Sequence, residues 1–158
     1  MLVAVALLGI IVSSVGAIIV QTMTVSASNN HRMEAIKQVE NALHWIDRDA
    51  QQALPGLIAH GSNVFTGSGL LLQWKQYEST GTLEHRVRYY FDGNFMFMRS
   101  EQINGGTAAI SRIAEYLDSN LTRYTFDGET LQVDFAAIVP GFKPATESRT
   151  LYVIPRIQ

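Results

Sequence analysis

Residues 2–20 form an uncharged run in which twelve positions are Leu, Ile or Val, and no side chain before His31 can carry a charge. A run of 19 such residues is long enough to cross a bilayer as a helix, which takes about 20. At roughly −0.3 to −0.6 kcal/mol each for insertion at the membrane centre, the branched aliphatics outweigh the few Ser and Gly residues. A polar patch follows over 21–30, and apolar residues then return with helical spacing. Ile36, Val39, Leu43, Ile46, Ala50 and Ala53 step by three and four and share one helix face. Glu34, Lys37, Gln38, Glu40, Asn41, Asp47, Arg48 and Gln51 fall opposite. Pro55-Gly56 ends the pattern, because proline disfavours helix in the residue before it and glycine suits the exit. The expectation is one helix over 2–54, about 80 Å long at 1.5 Å per residue. It is apolar all round at first and one-sided later.

Beyond Pro55 the period changes to that of strands. Residues 70–77 are apolar and then alternate, after the breaker Gly67-Ser68-Gly69. A turn is expected at 78–81. Over 83–91, Val87, Tyr89 and Phe91 take one face and Arg86, Arg88 and Tyr90 the other. Asp92-Gly93 predicts a two-residue hairpin turn into a strand over 94–99. Together these make a three-stranded antiparallel meander. Ile110, Ile113, Ala114 and Leu117 are spaced for a short helix, with a strand as the other option. Asp127-Gly128 predicts a second hairpin between 121–126 and 130–138, with Leu131, Val133 and Phe135 facing one way. A polar loop over 140–148 leads to a last strand over 149–155. The fold class is therefore α+β, with the amphipathic half-helix covering one face of an antiparallel sheet. Two regions result: 1–30, the apolar half-helix and polar patch, and 31–158, one soluble domain built from half-helix 31–54 and a sheet over 57–155.

The net charge of −2, with 12 basic and 14 acidic side chains and no basic cluster, gives no electrostatic case for nucleic acid. With no cysteine, disulfides, thiolate metal sites and thiol catalysis are excluded. A cleaved secretory signal competes with the anchor, since Val25-Ser26-Ala27 offers small residues for cleavage. Against it, the apolar run exceeds the usual 7–15-residue core and no basic segment precedes it. The expected arrangement is a single-pass anchor with the C-terminal domain outside the cytoplasm.

No residue set points to catalysis, a cofactor or a metal. His31, His44, His60 and His85 are scattered and read as surface or edge histidines, because zinc needs three or four converging ligands. Gly67-Ser68-Gly69 lacks the flanks of a nucleophile elbow, and Gly105-Gly106 lacks the Lys-Ser/Thr of a phosphate loop. Asp92-Gly93-Asn94 and Asp118-Ser119-Asn120 carry oxygen ligands but do not continue into a calcium loop, and so read as turns. Asp47-Arg48-Asp49 reads as a solvated charged face. Trp45 and Trp74 read as core or interface anchors, and Tyr89, Tyr90, Phe91, Phe95 and Phe97 as residues shared between the core and the outer sheet face. Gly9, Ser13 and Ala17 fall four apart, a spacing that lets helices approach closely in lipid.

The opening segment, from Met1-Leu2-Val3-Ala4-Val5-Ala6 through Gly9-Ile10-Ile11, resembles the N-terminal helix of type IV pilins and pseudopilins. In that family a basic leader ending in glycine is removed by prepilin peptidase, and the mature chain begins Phe-Thr-Leu-Ile-Glu. Aligned on that pattern, Met1 stands directly after the glutamate. The glycine, phenylalanine and glutamate are missing here, for which a start placed too far downstream, or trimming, is the expected cause. Prepilin peptidase is accordingly a partner only where a leader exists upstream. Trp45-Ile46-Asp47-Arg48-Asp49-Ala50-Gln51-Gln52-Ala53 is similar to a helix-end stretch of the J-type minor pseudopilins of type II secretion. Val87-Arg88-Tyr89-Tyr90-Phe91-Asp92-Gly93, Arg99 and Ile110-Ser111-Arg112-Ile113-Ala114 are in keeping with that subfamily. The resemblance implies a pilin-like fold and a structural subunit, held in the bacterial cytoplasmic membrane, that assembles with other pilin-like subunits into a pseudopilus or pilus tip. Two other classes are a membrane-held binding module, such as an adhesin or substrate receptor, and a tethered enzyme with no identifiable residue set.

Overall fold

The computed structural model describes residues 2–59, 61–65, 69–79, 81–141 and 143–156; side chains at 2–8, 10, 11 and 62–64 are outside that set. Met1, His60, Gly67, Ser68 and Thr80, about which the sequence raised expectations, therefore lie outside the described residues.

Helix α1 runs without interruption through Leu2–Ala50, so the polar patch at 21–30 is helical too. It stops four residues before the expected end. Its last turn tightens: the Gln52 and Ala53 N–H groups bond the Asp49 and Ala50 carbonyls three residues back. The Leu54 N–H is then taken by the Gln73 carbonyl at 2.8 Å. A sheet hydrogen bond thus replaces the helical one, and a short 3-10 turn follows at Pro55–Leu57.

Among the described residues eight strands follow, and they form two antiparallel sheets where the sequence predicted one. They are β1 Gly61–Val64, β2 Leu70–Glu78, β3 Gly81–Phe91, β4 Phe97–Ile103, β5 Ala109–Ala114, β6 Arg123–Phe126, β7 Leu131–Val139 and β8 Ala145–Val153. The orders are β1-β6-β7-β8 and β2-β3-β4-β5. The second sheet is the expected meander with one strand added. Helix α1 lies against β7, β8 and β5. One core joins all three layers, with Ala35, Val39, Ala42, Ile46 and Ala50 of the helix, and Ala53 just past its end, meeting Leu72, Tyr89, Phe97, Leu131, Val133 and Phe135. Alanines at three of these five helix positions let the backbone approach the sheets closely.

Several expectations need correction. The segment around Ile110 and Ile113 is strand β5, not a helix. Phe97 pairs with Ala114 and Met98 with Arg112, so Ile113 is an extra residue opposite no partner. This bulge turns both Ile113 and Ala114 into the core and mimics helical spacing. The groups it displaces are met from the helix, where Asn41 donates to the Ile113 carbonyl at 2.6 Å and Gln38 accepts from the Glu115 N–H at 3.0 Å. Both had been placed on the outward helix face.

Asp92-Gly93 is not a two-residue turn. The Asp92 N–H bonds the Met96 carbonyl, Phe95 takes a left-handed φ of 60°, and the Asp92 carboxylate holds the Asn94 and Met96 amides. This is a three-residue loop closed by a left-handed residue. The second hairpin turns at Gly128-Glu129, one residue later than expected, with the positive φ at Gly128. The final strand β8 begins at Ala145, inside the expected polar loop, because it pairs with β7 along its whole length.

Candidate functional site

The long helix has two parts in different surroundings. Over 35–50 it is docked. Val39, Ile46 and Ala50 are buried as the spacing predicted, and Leu43 packs partly buried against the core. Ile36 is only partly buried and stands outside the core, while Ala35 and Ala42 are fully buried. The buried stripe is therefore rotated slightly from the predicted one.

Among the described residues, the side chains at 9 and 12–23 are exposed. Val12, Ile18 and Met23 are 67%, 62% and 69% exposed, and Val15, Ile19, Val20 and Val25 are exposed with them. Gly9 and Ala17 are exposed, and a methyl group added at Gly9 would meet no atom. The hydroxyls on this surface bond back along the helix: Ser13 donates to the Gly9 carbonyl, Thr22 to Ile18 and Thr24 to Val20, each at 2.8 Å. Such bonds satisfy a hydroxyl without water, as an apolar surrounding requires. Among the described residues no helix is long and apolar enough to cross a membrane. Leu2, Val3, Val5, Leu7, Leu8, Ile10 and Ile11, the more apolar half of the run, have side chains outside the described set.

At the other end of the helix lies a buried polar cluster that overturns the solvated-face reading of Asp47-Arg48-Asp49. Asp49 is 1% exposed. Its Oδ2 accepts from Arg99 Nε and from the Tyr89 hydroxyl, each at 2.7 Å, and its Oδ1 accepts from Arg48 Nε and Nη2 at 3.2 Å. Arg99, itself 5% exposed, also donates from Nη1 to Glu101 Oε2 at 2.8 Å. The other Glu101 oxygen meets His85 Nδ1 at 3.2 Å. His85 is buried rather than at the surface, stacked on Trp74 with ring centres 5.0 Å apart. Trp45 carries the Arg48 and Arg99 guanidinium groups 4.1 and 4.9 Å from its ring centre. Both tryptophans thus serve as anchors. Tyr89 and Phe97 are buried, Tyr90 and Phe91 partly so, and Phe95 is exposed.

Charge placement explains the protonation states. Burial raises the Tyr89 pKa, and the adjacent Asp49 carboxylate raises it further, so the phenol stays a donor. Burial works against the charged form of Arg99, but its bonds to Asp49 and Glu101 outweigh this and hold it protonated. Burial likewise raises the Glu101 pKa, but bonds from Arg99 and His85 outweigh it and leave the carboxyl below its ordinary value. A folded pKa below the unfolded one gives stability that is fully present above the unfolded value, about 4.3. It is lost as the pH falls through the lower folded value. Glu101→Gln is expected to flatten the acid side of a plot of urea midpoint against pH, relative to the unsubstituted protein.

The Asp49 carboxylate is held by Arg48, Tyr89 and Arg99 and that of Glu101 by Arg99 and His85, and among the described residues no group of three His, Asp or Glu side chains could hold a metal ion. The Asp92 and Asp118 segments are turns, each with its carboxylate bonded to amides two residues on. The cluster joins three segments distant in sequence, and two of them carry charge on a face that is otherwise apolar. Asp49 falls three residues from Ile46, on the apolar helix face. Arg99 and Glu101 alternate with Phe97 on the inward face of β4. Opposite charges on two facing apolar surfaces are the signal. Comparison of the chain with protein-family models, with curated proteins and with solved structures found no match.

Proposed function

We propose that this chain is a structural subunit of a pilin-like filament, most similar to the J-type minor pseudopilins, held in the cytoplasmic membrane by its N-terminal helix before assembly. The observation that carries the proposal is the uncovered apolar part of α1, continuous with a part that is docked in the core. A helix that is apolar all round needs lipid or protein around it. The small residues Gly9, Ser13 and Ala17 make helix-to-helix packing the better use of that surface once subunits gather. Asp49, Tyr89 and Arg99, which belong to the three segments that resemble the pseudopilins, meet at one point and support the same reading. The outward-facing residues of the helix are partners for other subunits, not for a substrate.

The chain has no cysteine, which makes disulfide trapping clean. Ala17→Cys is expected to cross-link in intact cells to helices of other subunits with apolar N-termini, and Ile18→Lys to reduce their co-purification at least tenfold. Ile18 is exposed and outside the core, so Ile18→Lys should leave the urea midpoint of the domain unchanged. Persistence of the protein as an uncross-linked monomer that never co-purifies with such subunits would remove the proposal.

A further inference from the structure

Where α1 ends, a cleft of about 390 Å³ opens between the helix terminus and strand β2. Arg48, Gln52, Trp74, Lys75, Gln76 and Arg156 are among its lining residues. The lining includes three cationic side chains and no carboxylate, in a chain whose net charge is −2. Arg48 is committed to Asp49. Among the described residues, Lys75 and Arg156 form no ion pair, and the nearby Glu78 accepts from the Gln76 amide. Trp74 is buried in the wall, and its indole N–H has no partner.

The backbone adds a second element. Strand β2 is at the edge of its sheet. The Gln73 carbonyl turns away from β3 to meet the Leu54 N–H. Backbone groups alternate along a strand, so Lys75 presents its N–H and carbonyl on that same edge, past the point where the Leu54 segment leaves it. Trp74 and Lys75 belong to opposite faces of β2, yet both line the cleft, which places it at the edge and not on a face.

We infer that this cleft receives an extended, acidic segment of a partner protein, which adds to the β2 edge at Lys75 and sets its carboxylates against Lys75 and Arg156. Backbone pairing at a free edge supplies affinity, and carboxylate contacts with guanidinium groups supply selection. A free anion would use the cations alone and leave the edge unpaired. The inference does not depend on filament assembly.

The test uses the full-length protein in detergent micelles, titrated with the peptide Thr-Glu-Val-Glu-Val-Glu-Thr while the Trp74 indole and Lys75 amide resonances are followed by NMR. The expected result is saturable movement of both resonances. A variant carrying Lys75→Glu and Arg156→Glu should bind at least tenfold more weakly; both side chains are exposed, so the domain should stay folded. Inorganic phosphate should leave the Lys75 amide unmoved. The inference is overturned if the peptide fails to bind, if the double variant binds it equally, if the Gln-for-Glu peptide binds as well, or if phosphate displaces the peptide and moves both resonances.

Discussion

Asp49→Ala should destabilise the domain by about 3 kcal/mol, the low end of what breaking one side of a buried ion pair costs. The low end applies because Arg99 keeps Glu101 as a partner at 2.8 Å. The substitution strands two donors at once, since the Tyr89 hydroxyl and the Arg99 Nε both lose the oxygen they share. Tyr89→Phe alone removes a donor and strands nothing charged, so its expected cost is smaller, about 1.5 kcal/mol for a bond to a charged group. The combination of Asp49→Leu, Arg99→Met and Tyr89→Phe should recover most of the loss, because apolar groups in place of a buried pair are often neutral and no buried hydroxyl is left without its acceptor. Urea unfolding of the full-length protein in micelles, followed by tryptophan fluorescence, measures all of these. Trp45 lies against both Arg48 and Arg99 and will report the local change. An Asp49→Ala midpoint equal to that of the unsubstituted protein would mean that the cluster contributes nothing.

A comparably large effect is expected at Gly69. Its φ is +69°, and a Cβ there would overlap the Tyr89 carbonyl oxygen. The left-handed conformation costs a side-chain-bearing residue about 1–2 kcal/mol, and forced overlap in a packed site typically adds about 1–3. Gly69→Ala should therefore cost about 3 kcal/mol or more. Relief requires moving the start of β2 away from β3, where Leu70 pairs with Tyr89. That movement also disturbs the Gly69 carbonyl, which accepts from the Tyr124 hydroxyl at 3.0 Å and so ties the two sheets together. Gly93→Ala is the control: a Cβ there meets nothing and the backbone is not left-handed, so its midpoint should change by less than about 0.5 kcal/mol. Asp49→Ala and Gly69→Ala both act through Tyr89, so their combined cost should depart from the sum.

The long helix, the central meander and the β6–β7 hairpin could all be read from periodicity, because their inward positions repeat without interruption. The period fails where a residue is added or shared. The bulge at Ile113 converts a strand into something that scans as a helix. The loop at Asp92 reads as a two-residue turn, because a left-handed Phe95 is rare enough that no pattern anticipates it. The division into two sheets could not be read at all, since alternation reports which face is inward and not which strand lies beside which. The same limit hid the polar cluster. Asp47-Arg48-Asp49 has the composition of a wet surface, and only its rotation on the helix sets Asp49 apart from Asp47. Arg99 and Glu101 were equally ordinary in sequence, and it is the partner brought from fifty residues away that makes them a pair.

The unbroken helix also has a mechanical meaning. A pull on its N-terminal part reaches the domain along the helix axis. Over residues 35–50, about 24 Å at the helical rise, that load is carried in shear. The bonds of Asn41 with β5, of Gln38 with Glu115 just past it, and of Asp49 with β3 and β4 share it side by side. They would rupture together, not one after another as in peeling. The most strongly bonded of them, at Asp49, sits farthest from the point of traction. A domain of this design can be hauled by its stem while its head stays shut.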